Sequence, residues 1–152
     1  MNAWWLRQFL NLYPPFIGAG IHVTRISGDF REIDVRMKLR WRNRNYVGTQ
    51  FGGSLYSMTD PFYMLMLIRN LGKDYIVWDQ AASIQFRKPG TGIVWARFRL
   101  TEEMLADVLA HVSGNEPYRP VWEVRVEDEA GTEVACVEKT LYIRKKPRES
   151  GS

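Results

Sequence analysis

The segment from Gly52 to Leu71 constrains this chain most. It opens on a glycine pair, Gly52-Gly53, carries Leu55, Met58, Phe62, Tyr63, Leu65, Met66 and Ile68, and is closed by Gly72. Its length and its few β-branched residues predict one long apolar helix with a glycine stop. The flanking sequence has a different period. Ile33, Val35, Met37, Leu39 and Trp41 alternate with Asp34, Arg36, Lys38 and Arg40, the pattern of a half-buried strand over Phe30–Trp41. Gly20–Ile26 predicts a strand before it, joined through a Ser27-Gly28-Asp29 turn. Behind the helix, Tyr75–Arg87 reads as a long strand with Ile76, Trp78, Ala82, Ile84 and Phe86 on one face. Gly92–Leu100 returns with Val94, Ala96, Phe98 and Leu100 inward. One greasy helix among antiparallel strands predicts an α+β fold, a sheet wrapped around that helix.

The remaining elements are peripheral. Trp5, Leu6, Phe9, Leu10 and Tyr13 have helical spacing over Asn2–Leu12, and Tyr13-Pro14-Pro15 is expected to stop that helix. Thr101 is a good N-cap for a short helix bearing Met104, Leu105, Val108 and Leu109. Tyr118–Asp128 and Thr132–Arg144 predict a hairpin about Glu129-Ala130-Gly131. No repeat or linker interrupts residues 1–146, read as one domain, and 147–152 read as a frayed tail.

Several classes are excluded early. One cysteine, Cys136, allows no intramolecular disulfide and no cysteine metal cluster. Two histidines, His22 and His111, and no clustered carboxylates argue against a metal site, and each histidine reads as structural or solvated. The N-terminus lacks a basic region ahead of an apolar block, so it does not read as a signal peptide. The longest apolar run, Phe62 to Ile68, is too short for a membrane span. A cytoplasmic protein is expected. The net charge of +4 permits anionic partners. Arg36, Lys38, Arg40, Arg42 and Arg44 recur at every second position. They form a solvated face, or they attract coenzyme A phosphates or an acidic carrier, with Arg87, Lys88, Arg97 and Arg99 extending the patch. The aromatics alternate inward, which counts against nucleic acid.

Chemistry concentrates between Asn45 and Asp60. A glycine pair opening a helix admits a ligand close to the backbone, and the first helical N–H groups have no internal partner. Such donors can polarise a carbonyl, and Asp60 can serve as a general base: together, a hydrolase site. Asp60 has a competing role, because Asp60-Pro61 is also a good N-cap followed by proline at the first helical position. Asp79 and Ser83 share a face under strict alternation. That face is exposed or at an interface, or it touches the pocket.

The pattern Asn45-x-x-Gly48-Thr49-x-Phe51-Gly52-Gly53, followed by Asp60, resembles the hot-dog-fold acyl-CoA thioesterases of the phenylacetyl-CoA thioesterase type. That family carries N-G-H-G-x-x-H-G-G and then an aspartate at the same spacing. Gly48–Tyr56 and Asp74–Gly90 resemble a bacterial branch of hot-dog proteins, and the likeness covers nearly all of residues 10–145. It implies a hot-dog fold and a homodimer, with dimers able to pair as tetramers. Active sites would lie at the subunit interface, and an acyl-CoA or acyl-carrier thioester would be the substrate. No cofactor is implied beyond the coenzyme A of the substrate itself. The implied roles are Gly53 N–H as carbonyl donor, Asp60 as base or nucleophile, and Asn45 as a positioner of water or carbonyl. Gly48, Thr49, Phe51, Gly52 and Ser83 would contact substrate. Phe51 and Val47 stand where the family has histidines, and phenylalanine cannot donate a hydrogen bond. That departure keeps open a protein that binds acyl-CoA or lipid without cleaving it. A hydratase ranks lower, since no His–carboxylate pair flanks the glycine loop.

Overall fold

The computed structural model describes residues 1–148. Six antiparallel strands form one sheet: β1 (Ile21–Ile26), β2 (Glu32–Lys38), β3 (Tyr75–Phe86), β4 (Ile93–Arg99), β5 (Val121–Asp128) and β6 (Glu133–Lys145), in the order β1-β2-β4-β5-β6-β3. The sheet wraps the apolar segment Gly52–Leu71, whose Met58, Phe62, Met66 and Leu67 are fully buried against Ile33, Val35, Phe98, Val126, Leu141 and Ile143. Phe62 and Tyr63 both pack on Phe98, with ring centroids 5.0 and 5.2 Å apart.

That central segment is not continuous. It forms α3 (Gly52–Ser57) and α4 (Phe62–Leu71). Pro61 has no N–H to offer the carbonyl of Ser57, and Asp60 N–H takes that acceptor instead at 3.2 Å. Thr59, fully buried, donates its hydroxyl to Tyr56 O at 2.7 Å and holds the break closed. The N-cap position of α4 falls on Pro61, with no side-chain cap. The capping role open to Asp60 is therefore not the one it takes, and its carboxylate is free for other contacts.

The N-terminal helix α1 (Ala3–Asn11) is capped by Asn2 Oδ1, which accepts from Trp5 N–H at 3.0 Å. Leu10 is buried and Leu6 packs on the core. Asn11 pairs with the outer edge of β1 as a strand would, donating to Val23 O at 3.0 Å and accepting from Val23 N–H at 2.8 Å. Pro14-Pro15 do more than stop a helix. They open a second one, α2 (Pro14–Ala19), because proline is pre-shaped for the first helical turn. Gly20 ends it at φ 76°, where a Cβ would lie 2.7 Å from Asn43 Nδ2. Asn43 is buried and donates to Ala19 O and Lys38 O, while its Oδ1 accepts from Arg40 N–H. That turn ends β2 at Lys38, so the strand expected through Trp41 stops short and Trp41 is 84% exposed.

A second correction concerns β3. Its register against β6 slips between Asp79 and Ala81. A bulge reverses the phase of alternation. Tyr75, Val77 and Asp79 lie opposite the inward residues Lys145, Ile143 and Leu141, and beyond the bulge Ala82, Ile84 and Phe86 take over that face. Ile76 and Trp78 therefore do not share a face with Ala82, Ile84 and Phe86, and Trp78 stacks on Tyr142 at 4.5 Å on the outer side. Asp79 and Ser83 are likewise separated: Ser83 lies opposite Glu138, on the outer face. The helix α5 (Glu102–His111) begins as expected, with Thr101 Oγ1 accepting from Met104 N–H at 3.1 Å. The tail expected over 147–152 lies, from residue 149 onward, outside the described residues.

Candidate active site

The glycine loop is built by Asn45. Its Oδ1 accepts from the N–H groups of Val47 and Thr49 at 3.1 and 2.9 Å, and its Nδ2 donates to Thr49 Oγ1 at 2.8 Å. Gly48, at φ 85°, supplies the left-handed step that lets the loop double back. Asn45 and Thr49 thus spend their polar atoms on each other. These bonds give Asn45 a part in shaping the loop. Gln50 is buried at the base of the loop and donates to Gly92 O at 3.0 Å. Its Oε1 has no partner among the described residues. Asn45, Thr49, Gln50, Gly52, Leu55 and Phe86 line a cleft of about 330 Å³.

At the cleft's edge the N–H groups of Gly52 and Gly53 make no bond to any described residue, and α3 has no side-chain cap. Since α3 is only six residues long, its macrodipole is slight, and these two local donors carry whatever attraction an oxygen feels. Aromatic rings crowd both glycines. A Cβ on Gly52 would meet Phe86 Cζ at 3.0 Å, and one on Gly53 would meet Phe51 Cε1 at 2.7 Å. Glycine is required there for close approach, and Phe51 lies against Gly53 where the family pattern has histidine.

Asp60 does not line that cleft. It belongs to a second cluster across the break between α3 and α4. Lys139 is fully buried, and its Nζ lies 3.4 Å from Asp60 Oδ1, 3.5 Å from Asp79 Oδ1 and 5.4 Å from the centre of the Tyr56 ring. Lys139 sits at an inward position of β6, between Val137 and Leu141. A buried ammonium is tolerated only when paired, and two carboxylates meet that need. Their exposure differs: the Asp60 side chain is 47% accessible and that of Asp79 19%. Neither Asp79 oxygen has a hydrogen-bond partner among the described residues. Burial chiefly, and then the neighbouring carboxyl of Asp60, push Asp79 up to about 6 despite the pull of Lys139. Asp79 thus takes up a proton more readily folded than unfolded. Its contribution to stability is greatest at low pH and is lost as pH rises from its ordinary value toward 6. Asp79→Asn should therefore raise the melting temperature at pH 8 and leave it unchanged near pH 3. An equal shift at both pH values would mean that the carboxyl is not held neutral by its surroundings.

Of the residues singled out in the sequence, Asn45, Thr49 and Gly52 meet in one cleft, with Gly48, Phe51 and Gly53 around its rim loop, Asp60 stands apart with Asp79, and Ser83 joins neither group. Lys139 and Gln50 are additions from the structure. Three groups outside the site, Glu123, Glu133 and Cys136, approach one another closely enough to hold an ion. Arg125 already pairs with both carboxylates there, at 3.3 and 3.4 Å. Among the described residues, no helix is long and apolar enough to cross a membrane.

The architecture is that of a hot-dog fold, a sheet wrapped around a helical segment entered through a glycine pair. Residues 2–143 match the family described as Domain of unknown function (DUF4442), and the chain belongs to that family. Among solved structures it is similar to PA5026 of Pseudomonas aeruginosa, named a probable thioesterase, at a TM-score of 0.77 and 18% identity over 91% of this chain and 93% of that one. It is also similar to thioesterase HI1161 of Haemophilus influenzae, with a TM-score of 0.68 and 17% identity over 96% and 92% of the two chains. The PaaI protein of the E. coli phenylacetic acid degradation operon superposes with a TM-score of 0.63 at 15% identity, over 91% of each chain. No curated protein sequence matches this chain.

Proposed function

We propose that this chain hydrolyses acyl thioesters carried on coenzyme A or on an acyl-carrier protein, in the cytoplasm, as a homodimer whose sites form between subunits. The observation that carries this reading is the half-exposed Asp60 carboxylate, drawn to a fully buried lysine a few residues beyond two unpartnered backbone donors. In the reaction, Asp60 takes a proton from water, whose oxygen attacks the thioester carbon. The Gly53 N–H receives the developing oxyanion. The tetrahedral adduct then expels the thiolate, the C–S bond breaks, and the proton passes to sulfur, leaving a free acid and a thiol. Lys139 fixes the carboxylate's orientation and holds its negative charge in place. The unpartnered Oε1 of Gln50 suits an amide N–H of a pantetheine-like arm, which both carriers share.

Two features favour completion across a dimer. Within one chain, Asp60 and the glycine cleft are separate. Strand β3 is 12 residues long and has no neighbour on its outer side among the described residues, so it can add a partner's strand. One observation favours the alternative, an acyl-CoA or lipid binder without turnover: Phe51 crowds Gly53 in place of a hydrogen-bonding histidine. A panel of acyl-CoAs with thiol-release detection tests both. Thiol released at a rate proportional to enzyme supports hydrolysis, whereas saturable binding with no thiol released supports the binder.

A further inference from the structure

The first 28 residues contain no aspartate or glutamate, and neither does the stretch from Val35 to Thr59. The fold brings these two acid-free stretches together. Asn11, Ile17, His22, Arg36, Arg40 and Arg42 border a groove of about 380 Å³ at the β1–β2 end of the sheet, with Lys38 beside them. No carboxylate among the described residues pairs with Arg7, Arg36, Lys38, Arg40 or Arg42. Of the four cations expected to extend this patch, Arg87, Lys88 and Arg99 bond to Glu133, Asp128 and Asp34, and Arg97 lies over the Trp95 ring. His22, on the groove's lining, is held below its ordinary value by burial first and then by the charges of Arg36 and Arg7.

Exposed apolar side chains stand along the same edge of the sheet: Ile17 lines the groove, and α1, packed along β1, carries Trp4, Trp5 and Phe9. Trp4, Trp5, Phe9, Leu12, Ile17 and Trp41 are each between 46% and 84% exposed. Trp5, Phe9 and Leu12 follow helical spacing on α1 and form a stripe beside the Leu6–Leu10 face that packs inward. Exposed apolar side chains gathered along one edge mark a docking surface. Its chemistry narrows the occupant. A second copy presenting the same face would set cation against cation, with no acid on either side to relieve it. A nucleic acid would find rings to stack on in Trp4, Trp5, Phe9 and Trp41 but would leave the aliphatic Leu12 and Ile17, 73% and 46% exposed, in water. A bilayer with anionic headgroups satisfies both halves of the patch: tryptophans at the headgroup level, aliphatic tips below it, and phosphates among the arginines.

We infer that this face seats the protein on an anionic membrane surface, with a lipid headgroup phosphate in the Arg36–Arg40–Arg42 groove and α1 lying in the interface. The inference does not rest on the hydrolytic reading, because none of these residues belongs to the Asp60 cluster or the glycine cleft. The test is sedimentation of the intact protein with vesicles of phosphatidylcholine alone and of phosphatidylcholine mixed with phosphatidylglycerol. Binding is expected on the mixed vesicles only, with a blue shift of tryptophan emission, and should weaken at least about tenfold in high salt. Arg36→Ala/Arg40→Ala/Arg42→Ala and, separately, Trp4→Ala/Trp5→Ala should each weaken it by about tenfold or more with an unchanged circular dichroism spectrum. Four results would overturn the inference: no binding to either vesicle, equal binding to both, binding that survives both variants, or a patch-dependent self-association or oligonucleotide complex in the absence of vesicle binding.

Discussion

Asp60→Asn should lower thiol release from the preferred acyl thioester by about 10²–10⁴-fold, the usual worth of a positioned general base, while the melting temperature stays nearly unchanged. The two halves of that expectation have separate causes. Asparagine keeps the size and polarity of the side chain and removes only the proton acceptor. Stability is spared because Lys139 retains Asp79 at 3.5 Å, and the pair left behind is formally neutral where the triad carried a net negative charge. Asp79 also loses the like-charged neighbour that helps to raise it. The site's proposed division between subunits gives the same substitution a second use. Asp60→Asn and Gly53→Pro chains, the latter lacking the donor at a helix position that forms no intrahelical bond and pressing a Cβ on the Phe51 ring, should each be inactive alone. Co-assembled, they should recover activity, because each mixed dimer then holds one site with both groups intact. Mixed dimers as inactive as their parents would place both groups in one chain, and a lone Asp60→Asn protein of near-normal rate would remove the base altogether.

Lys139→Met should be the most destabilising single change outside the aromatic core. Methionine fills a similar volume, so little of the loss comes from a void. The loss comes from Asp60 and the more buried Asp79 facing one another without a cation. Removing one member of a buried ion pair costs about 3–5 kcal/mol, and the partial exposure of Asp60 places this case toward the lower end. For a chain of this length that is a fall of about 6–12 °C in melting temperature. The sign of the pH dependence follows from Asp79, already raised to about 6 beside an intact lysine. Without Lys139 the carboxyl holds its proton still more strongly, so the deficit is large at pH 8 and shrinks toward pH 4. Thermal melts across that range check it, and adding Asp79→Asn should restore much of the loss at pH 8. A deficit independent of pH would point to packing rather than charge.

Much of the scaffold was legible in the sequence because it rests on local rules. The alternation Ile33-Val35-Met37 and Val94-Ala96-Phe98 places every one of those residues in the core, and Thr101 caps the helix it precedes. The misreadings share one cause: a single-residue event with a long reach. The bulge at β3 adds nothing visible to the amino-acid string, yet it sends Asp79 inward and Ser83 outward. Asn43, ordinary in the sequence, closes the turn that ends β2 before Trp41. Lys139 is a different case. Val137, Leu141 and Ile143 alternate inward in the sequence itself, and a lysine on their row asks for a buried anion. A search for charge out of phase with its strand would have found the pairing with Asp60.

The two margins of the sheet are finished differently. On the β1 side, the Asn11 carboxamide stands in for the next strand and satisfies both main-chain groups of Val23. On the β3 side nothing among the described residues does so. A ribbon sealed at one rim and bare at the other can be lengthened once, by a copy turned through a half rotation, and the resulting pair shows two sealed rims to the solution. In the proposed dimer, growth by strand addition would stop at two molecules, a built-in guard against fibre formation.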